Sequence, residues 1–431
     1  MRRPTGFAEL AGRRVGVFGY GVEGRASARR LASVAASLVI VDDEPVSDEV
    51  MVTSAGGLAA LATCEVVLKS PGIPRRRADV LELEAAGVIV TSSLNLWLHE
   101  APRERVIAVT GTKGKSTTTS LISFFLDSLG QEAASLGNIG RPPYDPEAPS
   151  PAGWLVLEVS SFQAVDLDRA PAFVVVTSLG SDHLDWHGSL EQYWADKLSL
   201  TRARGEHHTY VTPSVLSLAA DQLGGEIHVV EPDDAGLAER LGLLGQHNRS
   251  NVALALTVVA NVLRRDHGDV LAAVSEDAES FVPLRGRLTL LGEEHLTHGR
   301  LRYVDDGLAT APLPTIAALE VFPNESLALI AGGFDRGVDY APLVDALLER
   351  TSPTILITMG AAGERLGSLA RQSGLRVRSV QDMAEAVAAA REALVAGGVV
   401  LFSPAAPSFD RYRNWLERSD DYAAQIRTSA S

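Results

Sequence analysis

The amino-acid sequence predicts an α/β protein of three domains, each built on a mostly parallel sheet. Apolar, strand-like runs alternate with helical patterns along almost the whole chain, and this alternation is typical of parallel sheets that helices cover on both faces. The chain has 431 residues, which suits about two to four domains of ordinary size. We place the domains at residues 1–101, 102–287 and 288–431. We expect a Rossmann-like order in the first and last and a phosphate-loop (P-loop) architecture in the second.

Composition limits the classes of partner. The chain has 39 basic and 54 acidic residues, for a formal net charge of −15, whereas a protein that wraps nucleic acid is normally basic. Its single cysteine, Cys64, allows no disulfide within the chain and fits a reducing compartment. We find no apolar run long enough to cross a bilayer and no signal-peptide pattern. These features predict a cytoplasmic protein without nucleic-acid or membrane partners.

The first block begins with a strand, a glycine-rich turn and a helix, "RRVGVFGYGVEGRASARRLASVAASLVIVDDEP". Gly19, Gly21 and Gly24 form a GxGxxG pattern. A second apolar strand ends at Asp42 and Asp43, at roughly the spacing of a dinucleotide fingerprint. The pattern predicts a nucleotide site. It leaves open whether the ligand is NAD or a different nucleotide on the same βαβ scaffold.

The second block opens with "AVTGTKGKSTTT", where a short strand meets a helix. Gly111 and Gly114 would let backbone N–H groups converge on an anion, and the start of the helix adds its positive end. Lys115 supplies a mobile positive charge, and Ser116 or Thr117 offers a hydroxyl to a hard metal ion. The loop therefore predicts a triphosphate site. The alternative is an ordinary strand-to-helix turn with a glycine-rich corner.

Three further polar residues stand out in the second block, which continues with four strand-like runs. Glu158 is a lone carboxylate in the apolar run "WLVLEV"; a buried charge needs a partner, and a bound cation near the phosphate loop would supply it. His183 lies beside acidic residues and Lys197 lies on an amphipathic helix. Taken alone, His183 fits a satisfied structural residue as well as a functional one, and composition favours a solvated Lys197.

The third block begins near Leu288 and alternates again. The strand "RYVDD" is followed by the helix "PLPTIAALEVF", and further pairs end at the strand "VVLFSPA". This order predicts a third α/β domain with a mostly parallel sheet.

Several motifs together resemble those of the Mur ligases. They are "SPGI", "GTKGKST", "GNIG", "LEVSSFQ", "SDHLDWHG…YWADKL", "GQHNRSN", "RGR", "DDGLAT" and "SPAAPSFDRY". Their order and spacing are similar to the glutamate-adding branch of that family over essentially the full length. The resemblance implies an ATP-dependent ligase of cytoplasmic peptidoglycan precursor synthesis. Such an enzyme activates the carboxylate of UDP-N-acetylmuramoyl-L-alanine as an acyl phosphate, which the amine of glutamate then attacks. We expect a monomer.

The resemblance also implies the residues of the ATP and metal sites. ATP would be bound by Gly111, Thr112, Lys113, Gly114, Lys115, Ser116, Thr117, Asn251, Arg287 and Asp306. One Mg²⁺ would be held by Ser116 and Glu158, and a second by His183 and Lys197. Lys197 would be carboxylated on its side-chain nitrogen, which turns a cation into a carboxylate-like ligand. The catalytic residues would be Lys115, His183 and Lys197.

The same resemblance changes the interpretation of the first block. Its βαβ unit would hold the UDP end of the sugar-nucleotide substrate through Gly21, Val22 and Asp42. Ser70 would lie near the pyrophosphate, and Asn138 would contact the same substrate. Two alternatives remain open from the residues alone: an NAD-dependent dehydrogenase and a non-catalytic nucleotide-binding regulator.

The sequence departs from the D-glutamate ligase pattern at the predicted amino-acid pocket. Gly307 and Leu308 stand where that pattern has serine and lysine, and Arg336 replaces a second lysine. These changes resemble the type that adds L-glutamate, so we favour the L isomer; a diverged D-glutamate ligase is the alternative. The predicted glutamate-binding residues are Thr310, Arg336, Ser408, Phe409 and Trp415.

Overall fold

The structure is a computed structural model that describes residues 3–149, 153–233 and 235–429. Strands and helices alternate through most of the described chain. The strands are β1 (Arg14–Phe18), β2 (Ser37–Asp42), β3 (Met51–Val52), β4 (Val66–Lys69), β5 (Ile89–Thr91), β6 (Val106–Thr110), β7 (Ala133–Gly137), β8 (Trp154–Glu158), β9 (Phe173–Val176), β10 (His208–Val211), β11 (Glu226–Val229), β12 (Thr289–Leu296), β13 (Gly299–Asp305), β14 (Leu327–Gly332), β15 (Thr354–Met359), β16 (Val377–Ser379) and β17 (Gly398–Phe402).

The helices range from single turns to five turns. They are α1 (Val22–Leu31), α2 (Gly57–Leu61), α3 (Ala78–Ala85), α4 (Ser93–Glu100), α5 (Lys115–Ser128), α6 (Ser161–Ala164), α7 (Leu184–His187), α8 (Leu190–Arg202), α9 (Pro213–Ala219), α10 (Leu237–Arg240), α11 (Gln246–Leu263), α12 (His267–Glu276), α13 (Pro312–Leu319), α14 (Ala341–Leu348), α15 (Gly360–Gln372), α16 (Met383–Ala393) and α17 (Trp415–Ser429). None of these helices has both the length and the apolar composition needed to span a membrane.

The strands form three sheets, which confirms the predicted α/β class with mostly parallel sheets. The first has the order β3-β2-β1-β4-β5 and the second β11-β10-β9-β6-β8-β7, and every strand pair in both is parallel. The third has the order β12-β13-β17-β14-β15-β16, and only its first pair is antiparallel. In parallel sheets of this kind, ligands bind at the carboxyl ends of the strands.

The sequence missed four strands. Five strands follow the phosphate loop in the second sheet, not the four predicted, and β3 of the first sheet and β12 and β16 of the third were not predicted. β12 alternates exposed and half-buried residues and is completed by its hairpin partner β13. β16 has three residues and one neighbour, β15. Such short or edge strands carry a weak periodic signal.

The chain divides into two compact units. One comprises residues 1–235 and 249–277, and the other residues 236–248 and 278–431. The first unit contains two sheets on one continuous apolar core, which joins Val15 and Leu68 of the first sheet to Val106 and Leu157 of the second. The exact boundaries of the three predicted domains stay a prediction.

Buried polar contacts also join the first two sheets. The Lys69 amine lies 2.7 Å from an Asp166 carboxylate oxygen, and both side chains are almost completely buried. Glu23 accepts hydrogen bonds from Tyr144 and Gln163 at 2.7 and 2.6 Å. Breaking a buried pair of this kind leaves an uncompensated charge. These contacts therefore hold the two sheets in one relative position.

Candidate functional site

The predicted phosphate loop lies between β6 and α5, and its backbone requires glycine at two positions. Gly111 has φ +143° and Gly114 has φ +86°. A Cβ atom at Gly111 would lie 2.1 Å from the Thr177 hydroxyl oxygen, and one at Gly114 would lie 2.5 Å from the Asn251 amide oxygen. Both conformation and space therefore exclude a side chain. The second contact also places Asn251, predicted to bind ATP, directly on the loop.

Hydrogen bonds hold the loop against the segment that follows β9. Thr112 donates its N–H to the Ser178 carbonyl at 2.8 Å, and the Lys113 N–H donates to the Ser178 hydroxyl at 2.9 Å. The Thr177 hydroxyl donates to the Lys113 carbonyl at 2.5 Å. The Thr112 hydroxyl accepts from the Tyr193 hydroxyl at 3.1 Å. The loop is thus held in one shape by side chains of two other elements.

Two lysine amines converge on a single carbonyl of this loop. Lys115 and Lys197 both donate to the Gly111 carbonyl oxygen, at 2.9 and 2.8 Å. Lys197 is only 2% exposed, and this burial, with the nearby Lys115 charge, lowers the pKa of Lys197 well below its ordinary value. Lys113 is more exposed and lies 3.4 Å from Asp182. The sequence, which indicated a solvated lysine at position 197 from composition alone, could not show this burial.

Glu158 ends β8, next to β6, opposite Val109. It is 2% exposed. One carboxylate oxygen accepts from the Asn138 amide at 2.7 Å, and the other is buried without a hydrogen-bond partner. An orphaned buried carboxylate oxygen is costly unless a cation satisfies it. This orphaned oxygen fits a hard divalent cation. Ser116, the other residue predicted to bind that cation, is buried at the start of α5. Thr117, the next residue of α5, is half-buried.

His183 precedes α7 in a left-handed conformation, with φ +49°. Its side chain is 51% exposed and lies 3.7 Å from Asp182. The ring packs on Phe162, with 4.8 Å between the ring centroids. These contacts leave the predicted metal-binding role of His183 a prediction.

A buried network beside Lys197 was not identified from the sequence. His187 Nδ1 lies 2.8 Å from an Asp196 carboxylate oxygen, and His187 Nε2 lies 3.0 Å from the Ser161 hydroxyl. Arg76 reaches the same carboxylate from the first sheet through two hydrogen bonds of 2.9 and 2.7 Å. Two residues could have drawn attention to this network: the second histidine of "DHLDWHG" and the acid before Lys197. Neither one indicates by itself which residue it contacts.

Charge explains the state of this network. Burial raises the pKa of Asp196, but the hydrogen bonds from Arg76 and His187 bring it below its ordinary value. Burial lowers the pKa of His187 despite that acid. Asp196 is therefore a carboxylate held by Arg76 and His187, and it directly precedes Lys197 in α8.

The glycine-rich corner of the first sheet has a different construction. Gly19 has φ +91°, and a Cβ on Gly24 would lie 1.9 Å from the Gly19 carbonyl oxygen. This glycine therefore allows α1 to pack closely on the end of β1. Gly21, at the start of α1, has open space at its Cβ position, and Val22 is 72% exposed. These two residues leave the positive end of α1 accessible to an anion.

The polar residues predicted for this corner already have partners within the protein. Asp42 accepts from the backbone N–H groups of Tyr20 at 2.5 Å and Glu44 at 3.1 Å. The Ser70 hydroxyl donates to the Gly19 carbonyl at 2.6 Å. Both side chains therefore shape the corner, whatever ligand contact they also make.

In the second unit, the motif "RGR" packs against the motif "DDGL". Leu308 donates its N–H to the Gly286 carbonyl at 3.1 Å. Asp306 is buried and accepts from the Ser403 hydroxyl at 2.7 Å. Burial raises the pKa of Asp306 to about 7, against the opposing effects of Ser403 and the Arg287 charge. The structure thus brings Arg287 and Asp306, both predicted to bind ATP, into one electrostatic neighbourhood.

The predicted glutamate-binding residues differ in exposure. Ser408 is 2% exposed and Phe409 is 60% exposed, and Thr310 and Arg336 are exposed. The Arg336 guanidinium lies 5.8 Å from the centroid of the Phe409 ring. Trp415 begins α17.

A buried arginine, which was not identified from the sequence, supports the loop that carries Ser408. Arg418 is 1% exposed and donates to the carbonyls of Gly332, Ala406 and Pro407 at 2.9 to 3.2 Å. Burial lowers the pKa of Arg418 to about 10, so the guanidinium stays charged at neutral pH. In the sequence of α17, nothing distinguishes Arg418 from an exposed arginine.

Known proteins resemble this chain over its full length. Residues 109–217 match the family model of the Mur ligase middle domain. The chain is 37% identical over 462 residues to the UDP-N-acetylmuramoyl-L-alanine–L-glutamate ligase of Micromonospora sp., covering 98% of each chain. It is also 37% identical to the protein of that name from Salinispora tropica, covering 98% and 99% of the two chains. The fold is similar to that of the MurF ligase of Thermotoga maritima in complex with ADP, with a TM-score of 0.53, 14% identity, and 99% and 98% of the two chains covered.

Proposed function

Because the chain belongs to the Mur ligase family, we propose that it is an ATP-dependent ligase that joins glutamate to UDP-N-acetylmuramoyl-L-alanine in peptidoglycan precursor synthesis. One observation carries the proposal within the site. Two lysine amines share the Gly111 carbonyl, in the same sheet as a buried Glu158 oxygen that has no hydrogen-bond partner. Membership of a ligase family over the full length also argues against the NAD-dependent dehydrogenase and the non-catalytic regulator.

The chemistry needs two transfers. A substrate carboxylate oxygen attacks the γ-phosphorus of ATP, a mixed anhydride forms, and ADP leaves. The glutamate amine then attacks the acyl carbon, loses a proton, and expels inorganic phosphate as the amide forms. Charge stabilisation at the phosphoryl group is the main contribution a protein can make to the first step.

Lys115 is the residue that we assign to that charge. Its amine donates to the Gly111 and Thr112 carbonyls, and it would exchange these bonds for phosphate oxygens. Gly111 and Gly114 let the loop adopt this shape, because a Cβ at either position would overlap Thr177 or Asn251. A loop of this shape would direct backbone N–H groups at the phosphates. Asn251 on this loop, and Arg287 and Asp306 in the second unit, are the proposed further contacts of ATP.

The residues that would hold Mg²⁺ are Ser116 and Glu158 at one site and His183 and Lys197 at the other. Bound Mg²⁺ would offset the repulsion between the triphosphate and the substrate carboxylate. The burial of Lys197 favours its neutral amine, which is the form that adds CO₂ to give an N-carboxylate and a released proton. We therefore propose that Lys197 is carboxylated in the active enzyme.

We assign the UDP end of the substrate to the first sheet. The accessible start of α1 at Gly21 and Val22 would receive the pyrophosphate. Asp42 and Ser70 shape this corner, and Asn138 would contact the same substrate. The monomeric state and the cytoplasmic location stay predictions.

We propose L-glutamate as the amino acid. Gly307 and Leu308 provide no cation, whereas the exposed Arg336 offers a guanidinium that grips a carboxylate through two parallel hydrogen bonds. The relatives from Micromonospora and Salinispora carry L-glutamate in their names, which supports this assignment. A D-glutamate ligase that anchors the other isomer with Arg336 alone is the alternative.

The test is phosphate release with Mg·ATP, UDP-N-acetylmuramoyl-L-alanine and each glutamate isomer in turn. We expect clear release with the L isomer and little with the D isomer. Preference for D-glutamate would reverse the stereochemical assignment and leave the ligase function in place. Absence of release with either isomer would contradict the ligase function, and titration with UDP and with NADH would then identify the nucleotide of the first sheet.

A further inference from the structure

Three side chains that can bind a metal meet at one edge of the second sheet. β10 and β11 are parallel neighbours in which His208 pairs with Glu226 and Tyr210 pairs with His228. Paired residues, and residues two apart on a strand, lie on the same face of a sheet. His208 and Glu226 begin their strands, whereas the phosphate loop follows the carboxyl end of β6. The cluster therefore lies at the opposite end of the sheet from the proposed active site.

The distances within the cluster match those between ligands of one metal ion. His208 Nδ1 lies 3.0 Å from His228 Nε2 and 3.3 Å from a Glu226 carboxylate oxygen. The other Glu226 oxygen lies 3.7 Å from His228 Nε2. Two ligand atoms bound at about 2.1 Å in tetrahedral geometry lie about 3.4 Å apart. A small shift of the exposed Glu226 side chain would bring all three atoms onto one ion.

Aromatic neighbours hold both imidazole rings in place. His208 stacks on Phe173 at 5.8 Å with 15° between the ring planes, and His228 stacks on Tyr210 at 4.8 Å with 16°. The Tyr210 hydroxyl accepts a hydrogen bond from the Asn261 amide at 3.1 Å. Ligands that are held in this way lose little freedom on binding, which favours a metal.

Solvent reaches the cluster from one side. His208 and Glu226 line a cavity of about 1020 Å³, and Glu226 is 67% exposed. An ion could therefore enter and complete its coordination with water. Burial lowers the pKa of His228, which favours the neutral imidazole that metals require.

We propose that His208, Glu226 and His228 bind one divalent transition-metal ion of the zinc type and so tie the edge strand β11 to β10. Two imidazoles and one carboxylate suit Zn²⁺, Ni²⁺ or Cu²⁺, whereas Mg²⁺ prefers oxygen ligands. The site is independent of the proposed ligase function. The competing interpretation is a hydrogen bond between the two rings with Glu226 as a counter-ion and no metal.

The first test is calorimetric titration of the full chain with Zn²⁺, without nucleotide and in excess Mg²⁺, which occupies oxygen-rich sites. We expect one equivalent to bind at this site. Affinity should fall at least tenfold in His208→Asn and in His228→Asn and stay unchanged in the control His267→Asn, an exposed histidine of α12. Unchanged Zn²⁺ uptake in both cluster variants, or no uptake by the unmodified chain, would overturn the proposal.

A second test leaves both half-buried imidazole rings in place. Glu226→Gln alters an exposed side chain and so spares the fold. We expect Zn²⁺ to raise the midpoint of thermal unfolding of the unmodified chain, since a ligand that binds only the folded state stabilises it. The rise should shrink in Glu226→Gln, and the visible spectrum of bound Co²⁺ should change. An equal rise together with an identical Co²⁺ spectrum in this variant would contradict a role for Glu226.

Discussion

Two strand-to-helix corners in the same compact unit carry glycines at comparable places. Gly19, Gly21 and Gly24 lie around the start of α1, and Gly111 and Gly114 precede α5. In the first corner the polar side chains serve the protein itself. The Asp42 carboxylate accepts hydrogen bonds from two backbone N–H groups, and the Ser70 hydroxyl donates one to the Gly19 carbonyl. In the second corner two lysine amines share one carbonyl, and Glu158 keeps a carboxylate oxygen without a hydrogen-bond partner.

The two corners differ in how they can act on a ligand: the first through the shape of its backbone, the second also through charged side chains. A corner whose side chains are already satisfied can bind an anion through backbone N–H groups and a helix end. A corner with two lysine amines and an orphaned carboxylate oxygen can also stabilise the charge that develops during a reaction. Substitutions should therefore act through packing at the first corner and through electrostatics at the second.

The largest effect should come from removing the mobile charge. Lys115→Ala is expected to lower the ligation rate by about 10²–10⁴-fold, or several kcal/mol of transition-state stabilisation, with little change in thermal unfolding. Phosphate release under saturating substrates measures this. Lys113→Ala, which removes a more exposed amine of the same loop, should lose far less. A Lys115→Ala enzyme of nearly normal rate would contradict the charge-based role of this corner.

The next effect concerns the second amine. Lys197→Ala should be nearly inactive, and a short carboxylic acid such as acetate should restore part of the rate, because it would occupy the place of the N-carboxylate. Lys197→Arg is the matched control: it fills the same space with a permanent cation that does not form an N-carboxylate, so acetate should not restore activity. If Lys197→Ala works without acetate, this lysine has no part in the reaction.

At the first corner, packing should dominate. A Cβ at Gly24 would meet the Gly19 carbonyl oxygen at 1.9 Å, so Gly24→Ala should destabilise the fold by about 1–3 kcal/mol and weaken UDP binding. Gly21→Ala has open space and an ordinary φ of −70°. It should leave the unfolding midpoint unchanged while weakening UDP binding. Chemical denaturation and UDP titration separate the two outcomes, and equal stability of both variants would refute the packing argument.

The smallest effect is expected at Asp42. Asp42→Asn keeps one acceptor oxygen but replaces the other with a donor, so one of the bonds from Tyr20 and Glu44 is lost. We expect a loss of about 0.5–1.5 kcal/mol in the free energy of unfolding. Urea denaturation measures it. If Asp42→Asn lowered the free energy of unfolding as much as Gly24→Ala, the stability of the first corner would depend on charge as well as on packing.

Local patterns predicted the fold class and the two corners, because a strand, a glycine turn and a helix are adjacent in sequence. The Lys115 loop begins where the motif indicates, and β1, β2 and β6 lie in the apolar runs that were predicted as strands beside the two corners. The hairpin strand β12 was not predicted, because its residues are largely polar and it is stabilised by pairing with β13. Sequence periodicity reports burial, and half-exposed edge strands bury little.

Such local patterns could not predict contacts between residues that are far apart in the sequence. Arg76 and Asp196 are 120 residues apart, and nothing near either one indicates the pair. Arg418 looks like a surface residue of α17, yet its guanidinium is buried against three loop carbonyls. The partner of a charged group depends on tertiary packing, so a motif can identify Lys197 as important without revealing that it is buried.

The shared core of the first two sheets has a consequence for dissecting the molecule into modules. A fragment ending near residue 101 would contain the whole GxGxxG corner but would leave Lys69 without Asp166 and Glu23 without Tyr144 and Gln163. It would also expose one side of a core that continues to Leu157. Exchange of the segment up to residue 101 between related enzymes should therefore succeed only when the contacting residues of the second sheet are exchanged with it.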